Sequence, residues 1–208
     1  MVSLTTLIII VTVAISFGAL NNANIFQKSL MNPYMIFQKK EYWRLITSGF
    51  IHGSYIHLGF NMFTFYFFGA AVERIFGQVL GSSSPVVFVL FYLSAIVISD
   101  LPNALKRKHE VTYNSLGASG AVSAMVFASI LYFPLNEICL YGILCLPGFI
   151  LGTIYVVYSY YQGRNMSGNI NHEAHLYGAI YGAIFGIIIY PPAAMNFVNQ
   201  ILTYRIFD

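Results

Sequence analysis

Long apolar segments alternate with short polar connections along this chain of 208 residues. The apolar segments are continuous and do not alternate residue by residue, which is typical of membrane-spanning helices and not of barrel strands. Six segments approach the roughly 20 residues that a helix needs to cross a bilayer. We predict spans at residues 4–20, 56–76, 85–101, 116–133, 138–160 and 173–190.

The composition supports a location in lipid. Hydrophobic residues make up 58% of the chain and charged residues 8%, whereas a soluble domain carries about 25% charged residues. A membrane-embedded backbone must satisfy its polar groups internally, so we predict an all-α bundle forming a single membrane domain over residues 1–208. The net charge of +3 is too small to indicate nucleic-acid binding. The first span lacks a basic leader and a small-residue cleavage site, so we expect it to be retained and not removed as a signal peptide.

The connection between the first two spans is long and mixes aromatic with cationic side chains. Trp43 and Arg44 lie within it, among further tyrosines, phenylalanines and lysines. Such a mixture is typical of the membrane–water interface, so we predict a long interfacial first loop.

Two possible metal or disulfide signals are weak. Cys139 and Cys145 fall in an apolar stretch, and we expect them to be packing residues without a disulfide or a zinc site. His172 and His175 flank Glu173 at a spacing of three, whereas the zinc-protease motif needs histidines four residues apart on one helix face. We therefore predict no metal and no cofactor.

Four polar residues stand at membrane depth, where an ionisable or hydrogen-bonding group is costly and indicates function. They are His57 and Asn61 in the second span, Ser119 in the fourth and His175 in the sixth. All even-numbered spans start on the same side of the membrane, and each residue lies within one or two turns of its span's start. The four residues are therefore expected at one shared depth, near one surface.

Rows of small residues at four-residue spacing favour close packing of the fourth and sixth spans. The rows are Gly120, Ala124 and Ala128, and Gly178, Gly182 and Gly186. If these faces meet, Ser119 and His175 approach each other at their common end, and a hydroxyl beside a neutral imidazole is the minimum for an activated nucleophile. No acidic residue lies at matching depth, so the arrangement is a dyad.

The second span supplies groups capable of donating to a developing oxyanion. His57 and Asn61 are four residues apart and share a helix face. The backbone N–H of Ser119 at a helix start is a further donor. A lone G-x-S-G tetrapeptide arises easily by chance, and the conjunction of residues at one depth carries more weight.

The order and spacing of these motifs resemble the rhomboid family of intramembrane serine proteases. The matching elements are Trp43-Arg44, His52, His57 to Asn61, Gly69, Gly117-Ala118-Ser119-Gly120, and Ala174 to Gly178 followed by Gly182. The resemblance implies that Ser119 is the nucleophile, that His175 is its general base, and that His57, Asn61 and the Ser119 amide form the oxyanion hole. It also implies structural support from Trp43, Arg44, Gly117, Gly120, Gly178 and Gly182.

The resemblance further implies cleavage of single-span membrane proteins in or near their transmembrane segment, by a multi-pass protein of a bacterial inner membrane. It leaves the oligomeric state open. One position departs from the pattern: some family members carry an aromatic residue one turn after the nucleophile, and here that residue is Ser123. Tyr177 or Tyr181 would then be available to orient His175.

Two other functions remain as alternatives. A catalytically silent rhomboid-like protein would bind membrane clients without cutting them, although such a protein is expected to lose Ser119 or His175. A small transporter would need polar groups at the midplane, not near one surface. The family orientation places the site on the extracytoplasmic face, whereas the excess of lysine and arginine in the odd-numbered loops favours the reverse.

Overall fold

Helices dominate the structure, a computed structural model that describes residues 2–140, 143–165 and 171–204. The six main helices are α1 (Leu4–Leu20), α5 (Tyr55–Leu80), α6 (Ser84–Lys106), α7 (Ser119–Tyr132), α8 (Gly148–Asn165) and α9 (His172–Ile189). Shorter helices are α2 (Ala23–Ser29), α3 (Pro33–Lys39), α4 (Arg44–Thr47) and α10 (Pro192–Thr203), with 3-10 turns at Ser48–Phe50 and Gly81–Ser83. Two strands, β1 (Glu137–Leu140) and β2 (Leu144–Pro147), join α7 to α8.

The helical character predicted from the sequence is confirmed, and each predicted span overlaps one main helix. The number of membrane crossings stays a prediction. Of the described helices, the continuous stretch Tyr55–Lys106 is long and apolar enough by itself to cross a membrane. The helices α9 and α10 meet the combined requirement of length and apolar character only as a pair, which is bent by 113°, and α1 and α7 are shorter apolar helices.

The prediction for the start of the fifth span is wrong, because residues 138–140 and 144–147 lie in two paired strands and not in the first turns of a helix. Strands β1 and β2 pair antiparallel with Cys139 opposite Cys145. These cysteines form a disulfide, which also corrects the expectation that they are unpaired. Short apolar runs of strand and helix cannot be told apart by periodicity. Pro147 followed by Gly148 marks the true helix start.

The helix α7 lies at the centre of the bundle. It contacts α5, α6, α8 and α9, and most of its residues are buried. Around it, aromatic side chains of α5 and α6 form the hydrophobic core, with Phe65, Phe76, Phe88, Phe91 and Tyr92 almost fully buried. The small residues of α7, including three alanines and three serines, allow neighbouring helices to approach it closely.

The connection between α1 and α5 is held together by hydrogen bonds from one buried arginine. Arg44 is 6% exposed, and its Nη1 donates to the carbonyl oxygens of Gln27 and Leu30 at 2.9 Å each, while Nε donates to Glu41 at 2.6 Å. Trp43, by contrast, is 55% exposed. Arg44 thus fixes the connection from inside, and the predicted interfacial position of the loop remains a prediction.

The two ends of the bundle are tied by long-range polar contacts. At one end, Glu73 of α5 accepts hydrogen bonds from the backbone N–H groups of Leu4 and Thr5 at 2.8 and 2.9 Å. This carboxylate accepts hydrogen bonds from N–H groups of the first turn of α1, which have no acceptor within the helix. At the other end, the backbones of Met31 and Ser115 exchange hydrogen bonds of 3.0 and 2.9 Å, which joins the first connection to the segment before α7.

Candidate active site

Ser119 is the first residue of α7, and the length of that helix determines how deep the residue lies. At 1.5 Å per residue, the 14 residues of α7 extend about 21 Å, whereas the apolar core of a bilayer is about 30 Å thick. The neighbouring α5 and α6, with 26 and 23 residues, are long enough to cross it. If the far end of α7 reaches the opposite surface, Ser119 lies several ångströms inside the membrane.

Backbone contact between α7 and α9 brings the N-terminal ends of these two helices together. A methyl group built on Gly178 would overlap the carbonyl oxygen of Gly120 and lie 2.9 Å from its carbonyl carbon. One built on Gly182 would lie 2.6 Å from the Cα of Ala124. The predicted small-residue faces therefore do meet. Since only glycine permits this approach, the α7–α9 pairing depends on these two positions.

The contact extends to the neighbours of the proposed dyad. A methyl group on Gly120 would lie 3.5 Å from the carbonyl oxygen of Ala174. Gly120 follows Ser119 and Ala174 precedes His175, so the two residues lie at the same end of the α7–α9 pair. Both are half-buried. The hydrogen bonds within the described residues do not include one between Ser119 and His175, and catalytic hydrogen bonds are often long until substrate binds.

The loop before Ser119 is held by its own backbone. Gly117 has a φ of +111°, a conformation that residues with a side chain rarely adopt, and its N–H donates to the carbonyl of Ser48 at 2.9 Å. A methyl group at Gly117 would lie 2.9 Å from Cε1 of His57. The glycine therefore allows both the turn and the close approach of the His57 ring to the start of α7.

His52 holds the next residue of this loop. Its Nε2 accepts the N–H of Ala118 at 3.3 Å, and its Nδ1 lies 2.9 Å from the Oγ of Ser16. That hydroxyl donates to the carbonyl of Phe50, so Nδ1 must carry the proton and donate to it. Burial, with a smaller effect from His57, lowers the pKa of His52 from 6.5 to about 3. The ring is therefore neutral, as its two hydrogen bonds require.

His57 and Asn61 lie beside the start of α7 on one face of α5. The His57 ring is 4.9 Å from the His52 ring, edge to face. The buried Asn61 side chain donates from Nδ2 to the carbonyl oxygen of His57 at 3.0 Å. One Asn61 proton is thus occupied in this state. The first N–H groups of α7, including that of Ser119, have no intrahelical acceptor and point toward this end of the bundle.

Two rings lie next to His175: that of His172, one turn earlier on α9, at a centroid distance of 5.9 Å and edge to face, and that of Tyr155 on α8. Tyr155 and His175 lie nearly parallel, with centroids 6.2 Å apart and planes inclined by 20°. The Tyr155 hydroxyl is 2.8 Å from the Oγ of Ser123 on α7. The residues suggested by the sequence take other positions: Tyr177 is exposed, and the Tyr181 hydroxyl pairs with Ser94 at 2.6 Å.

A buried polar network fixes the start of α9. The side-chain oxygen of Asn171 accepts the Ala174 N–H at 3.0 Å and the Asn103 amide at 3.0 Å. Its Nδ2 donates to Asp100 at 2.8 Å and to Ser115 at 3.2 Å. These contacts join α6, the segment before α7, and α9, so they set the height of His175 relative to Ser119.

These features define a helical bundle in which a serine at the start of a short, central helix shares one end with a histidine on an adjoining helix. The rhomboid domain model matches residues 39–192, and the chain belongs to the rhomboid family. Members of this family are integral membrane proteins and are usually serine proteases that act on transmembrane proteins.

Three relatives illustrate the range of similar proteins. RHOMBOID-like protein 12, mitochondrial, of Arabidopsis thaliana is 31% identical over 167 residues, covering 74% of this chain and 49% of its own length. The Bacillus subtilis protein YdcA, provisionally named a rhomboid protease, is 28% identical over 66% of this chain and 62% of its own length. Rhomboid protease GluP of the same organism is 31% identical over 59% of this chain and 20% of its own length. The chain thus spans between about a fifth and three fifths of these relatives.

Sequence reasoning missed three residues of this region. In the sequence, His52 stands out only as part of a motif, Asn171 is one of several asparagines, and Tyr155 is one of 16 tyrosines. A polar residue directly before an apolar segment is the expected signal for a helix cap such as Asn171. Nothing local distinguishes Tyr155, because its role depends on contacts with α7 and α9.

Proposed function

We propose that the chain is an intramembrane serine endopeptidase that cleaves single-span membrane proteins in or near their transmembrane segment. The observation that carries the proposal is the backbone contact of Gly178 with Gly120, which brings the neighbours Ser119 and His175 to one end of the α7–α9 pair. Membership of a family whose members are usually serine proteases supports it.

In the proposed mechanism, Ser119 Oγ attacks the scissile carbonyl while His175 accepts its proton. The oxyanion receives hydrogen bonds from the Ser119 amide and from the side chains of His57 and Asn61, which requires Asn61 to turn from its bond with the His57 carbonyl. His175 then protonates the leaving amine, and water hydrolyses the acyl-enzyme.

The substrate must unwind locally, because a transmembrane helix hides its carbonyl groups in its own hydrogen bonds. We expect cleavage to favour segments containing glycine or other helix-destabilising residues near the cleaved bond.

The membrane location is proposed at two levels. Integral membrane association follows from the family. A bacterial inner membrane, with the site on its outer face, stays a prediction, since the relatives include a mitochondrial plant protein as well as bacterial ones.

The second candidate is a catalytically silent family member that binds membrane clients without cleaving them. This alternative is considered because the family includes rhomboid-like proteins that are inactive. A fluorophosphonate probe separates the two. We expect labelling of the wild type and cleavage of a tagged single-span protein in proteoliposomes, and neither in Ser119→Ala. Ser129→Ala is the matched control, since Ser129 is buried further along the same helix. Cleavage that persists in Ser119→Ala, or a wild type that is neither labelled nor active, would reject the protease.

A further inference from the structure

His175 has an aromatic neighbour that comes from an unexpected helix. The ring of Tyr155 on α8 lies nearly parallel to the imidazole, with the centroids 6.2 Å apart, within the range of offset-stacked pairs. The position one turn after Ser119, where some family members carry an aromatic residue, is occupied by Ser123.

Ser123 holds the Tyr155 ring in place from the other side. Its Oγ lies 2.8 Å from the Tyr155 hydroxyl, and Ser123 is 5% exposed, so this hydrogen bond is protected from water. Phe127, the next residue of α7 on that face, contacts the same ring at a centroid distance of 5.8 Å. The tyrosine is therefore fixed at its hydroxyl and at its face before it meets His175.

We propose that Tyr155 is the positioning residue of His175, and that Ser123 and Tyr155 together perform the role of a single aromatic residue on α7. The inference rests on the proposed function of Ser119 and His175. An aromatic side chain at position 123 of α7 would need the space beside His175. In this protein the Tyr155 ring of α8 occupies that space. The small side chain of Ser123 therefore leaves the room that the large side chain of Tyr155 requires.

Tyr158 gives a matched comparison on the same helix. Its ring contacts His172, at a centroid distance of 5.4 Å, and His172 lies one turn before His175 on α9. Two of the four tyrosines of α8 therefore pack on two histidines of α9, of which only one belongs to the proposed dyad. A general need for aromatic packing between α8 and α9 would make the two tyrosines equivalent.

The experiment compares Tyr155→Leu, Tyr155→Phe and Tyr158→Leu in proteoliposomes, with kcat and KM measured separately on one single-span substrate. We expect Tyr155→Leu to lower kcat about ten-fold with KM nearly unchanged. Tyr155→Phe keeps the stacked ring and is expected to retain most of the activity, and Tyr158→Leu to equal the wild type. Equal losses in Tyr155→Leu and Tyr158→Leu, or an unchanged kcat in Tyr155→Leu, would overturn the inference.

The exchanged double variant Ser123→Tyr/Tyr155→Ser provides a rescue. It moves the ring to α7 while keeping both side chains in the bundle, and we expect a higher kcat than in Tyr155→Ser alone. A double variant that folds and is no more active than Tyr155→Ser contradicts the proposed equivalence.

A spectroscopic measurement keeps the inference independent of catalysis. The chain has five histidines, and isotope labelling with His175→Gln as the assignment variant identifies the His175 signal. We expect the contribution of Tyr155 to its ring-current shift to be lost in Tyr155→Leu, while that of His172 stays, and the shift to be unchanged in Tyr158→Leu. An unchanged shift in Tyr155→Leu overturns the positioning role even if the protein has no protease activity, whereas inactive wild type with the expected shifts rejects only the proposed function.

Discussion

Replacing Gly178 by alanine tests whether the α7–α9 contact aligns the dyad. The new methyl group would overlap the carbonyl oxygen of Gly120 and lie 2.9 Å from its carbon. Carbon atoms pack at about 3.5–4.0 Å, so clearing the carbonyl carbon alone moves α9 away from α7 by roughly 0.6–1.1 Å, and clearing the oxygen requires at least as much. Backbone atoms on both sides prevent a local adjustment.

The displacement acts one turn from His175. A misplacement of about 1 Å in a catalytic group costs on the order of 100-fold in rate, equivalent to about 2.7 kcal/mol of transition-state stabilisation. Overpacking also lowers the free energy of unfolding by about 1–3 kcal/mol. We therefore expect kcat/KM to fall about 100-fold, beyond what partial unfolding produces.

Gly186→Ala is the matched control. A methyl group there would first meet Cδ2 of Leu131 at 2.8 Å, the end of a flexible side chain that can move aside. Cleavage of a single-span substrate and the melting temperature in detergent are measured for both variants. If folded Gly178→Ala cleaves as well as Gly186→Ala, the alignment of the dyad by this glycine contact is refuted.

Two further predictions concern residues away from the dyad. The pKa of His52 is lowered from 6.5 in the unfolded chain to about 3 in the folded protein, so the unfolded chain binds the proton first as the pH falls. The free energy of unfolding therefore decreases between pH 6.5 and 3, by about 2 kcal/mol at pH 5. Melting curves at pH 7 and 5 should converge in His52→Gln, and an unchanged pH dependence would contradict this. Glu73→Gln removes the negative charge that accepts hydrogen bonds from the first turn of α1. We expect it to lower the free energy of unfolding by about 1 kcal/mol. Exposed Glu137→Gln is its control, and equal melting temperatures for the two variants would count against the cap.

The parts of the site that sequence could predict are those set by periodicity. Small residues at four-residue spacing predicted the faces on which α7 and α9 pack, and the parity of the spans predicted that Ser119 and His175 share one end. These relations hold for any helices that run straight through a membrane. They do not require knowledge of which neighbour each helix touches.

The parts that sequence could not predict depend on contacts between distant segments. Strands β1 and β2 look like helix because a four-residue apolar run has no distinguishing period. The role of Tyr155 is set by Ser123 and His175 on two other helices. The predicted fourth span begins at residue 116, whereas α7 begins at Ser119, because the Gly117 backbone turns and bonds to Ser48.

The shortness of α7 bears on how the chain is inserted during synthesis. A segment of 14 residues carrying several serines falls short of the roughly 20 apolar residues that partition into lipid by themselves. The non-helical backbone before it, at Gly117 and Ala118, finds its acceptors on Ser48 and His52, which are made earlier on the ribosome. We therefore expect α7 to enter the bilayer against a preassembled N-terminal part, so that a defect near Ser48 would appear first as a failure of membrane integration.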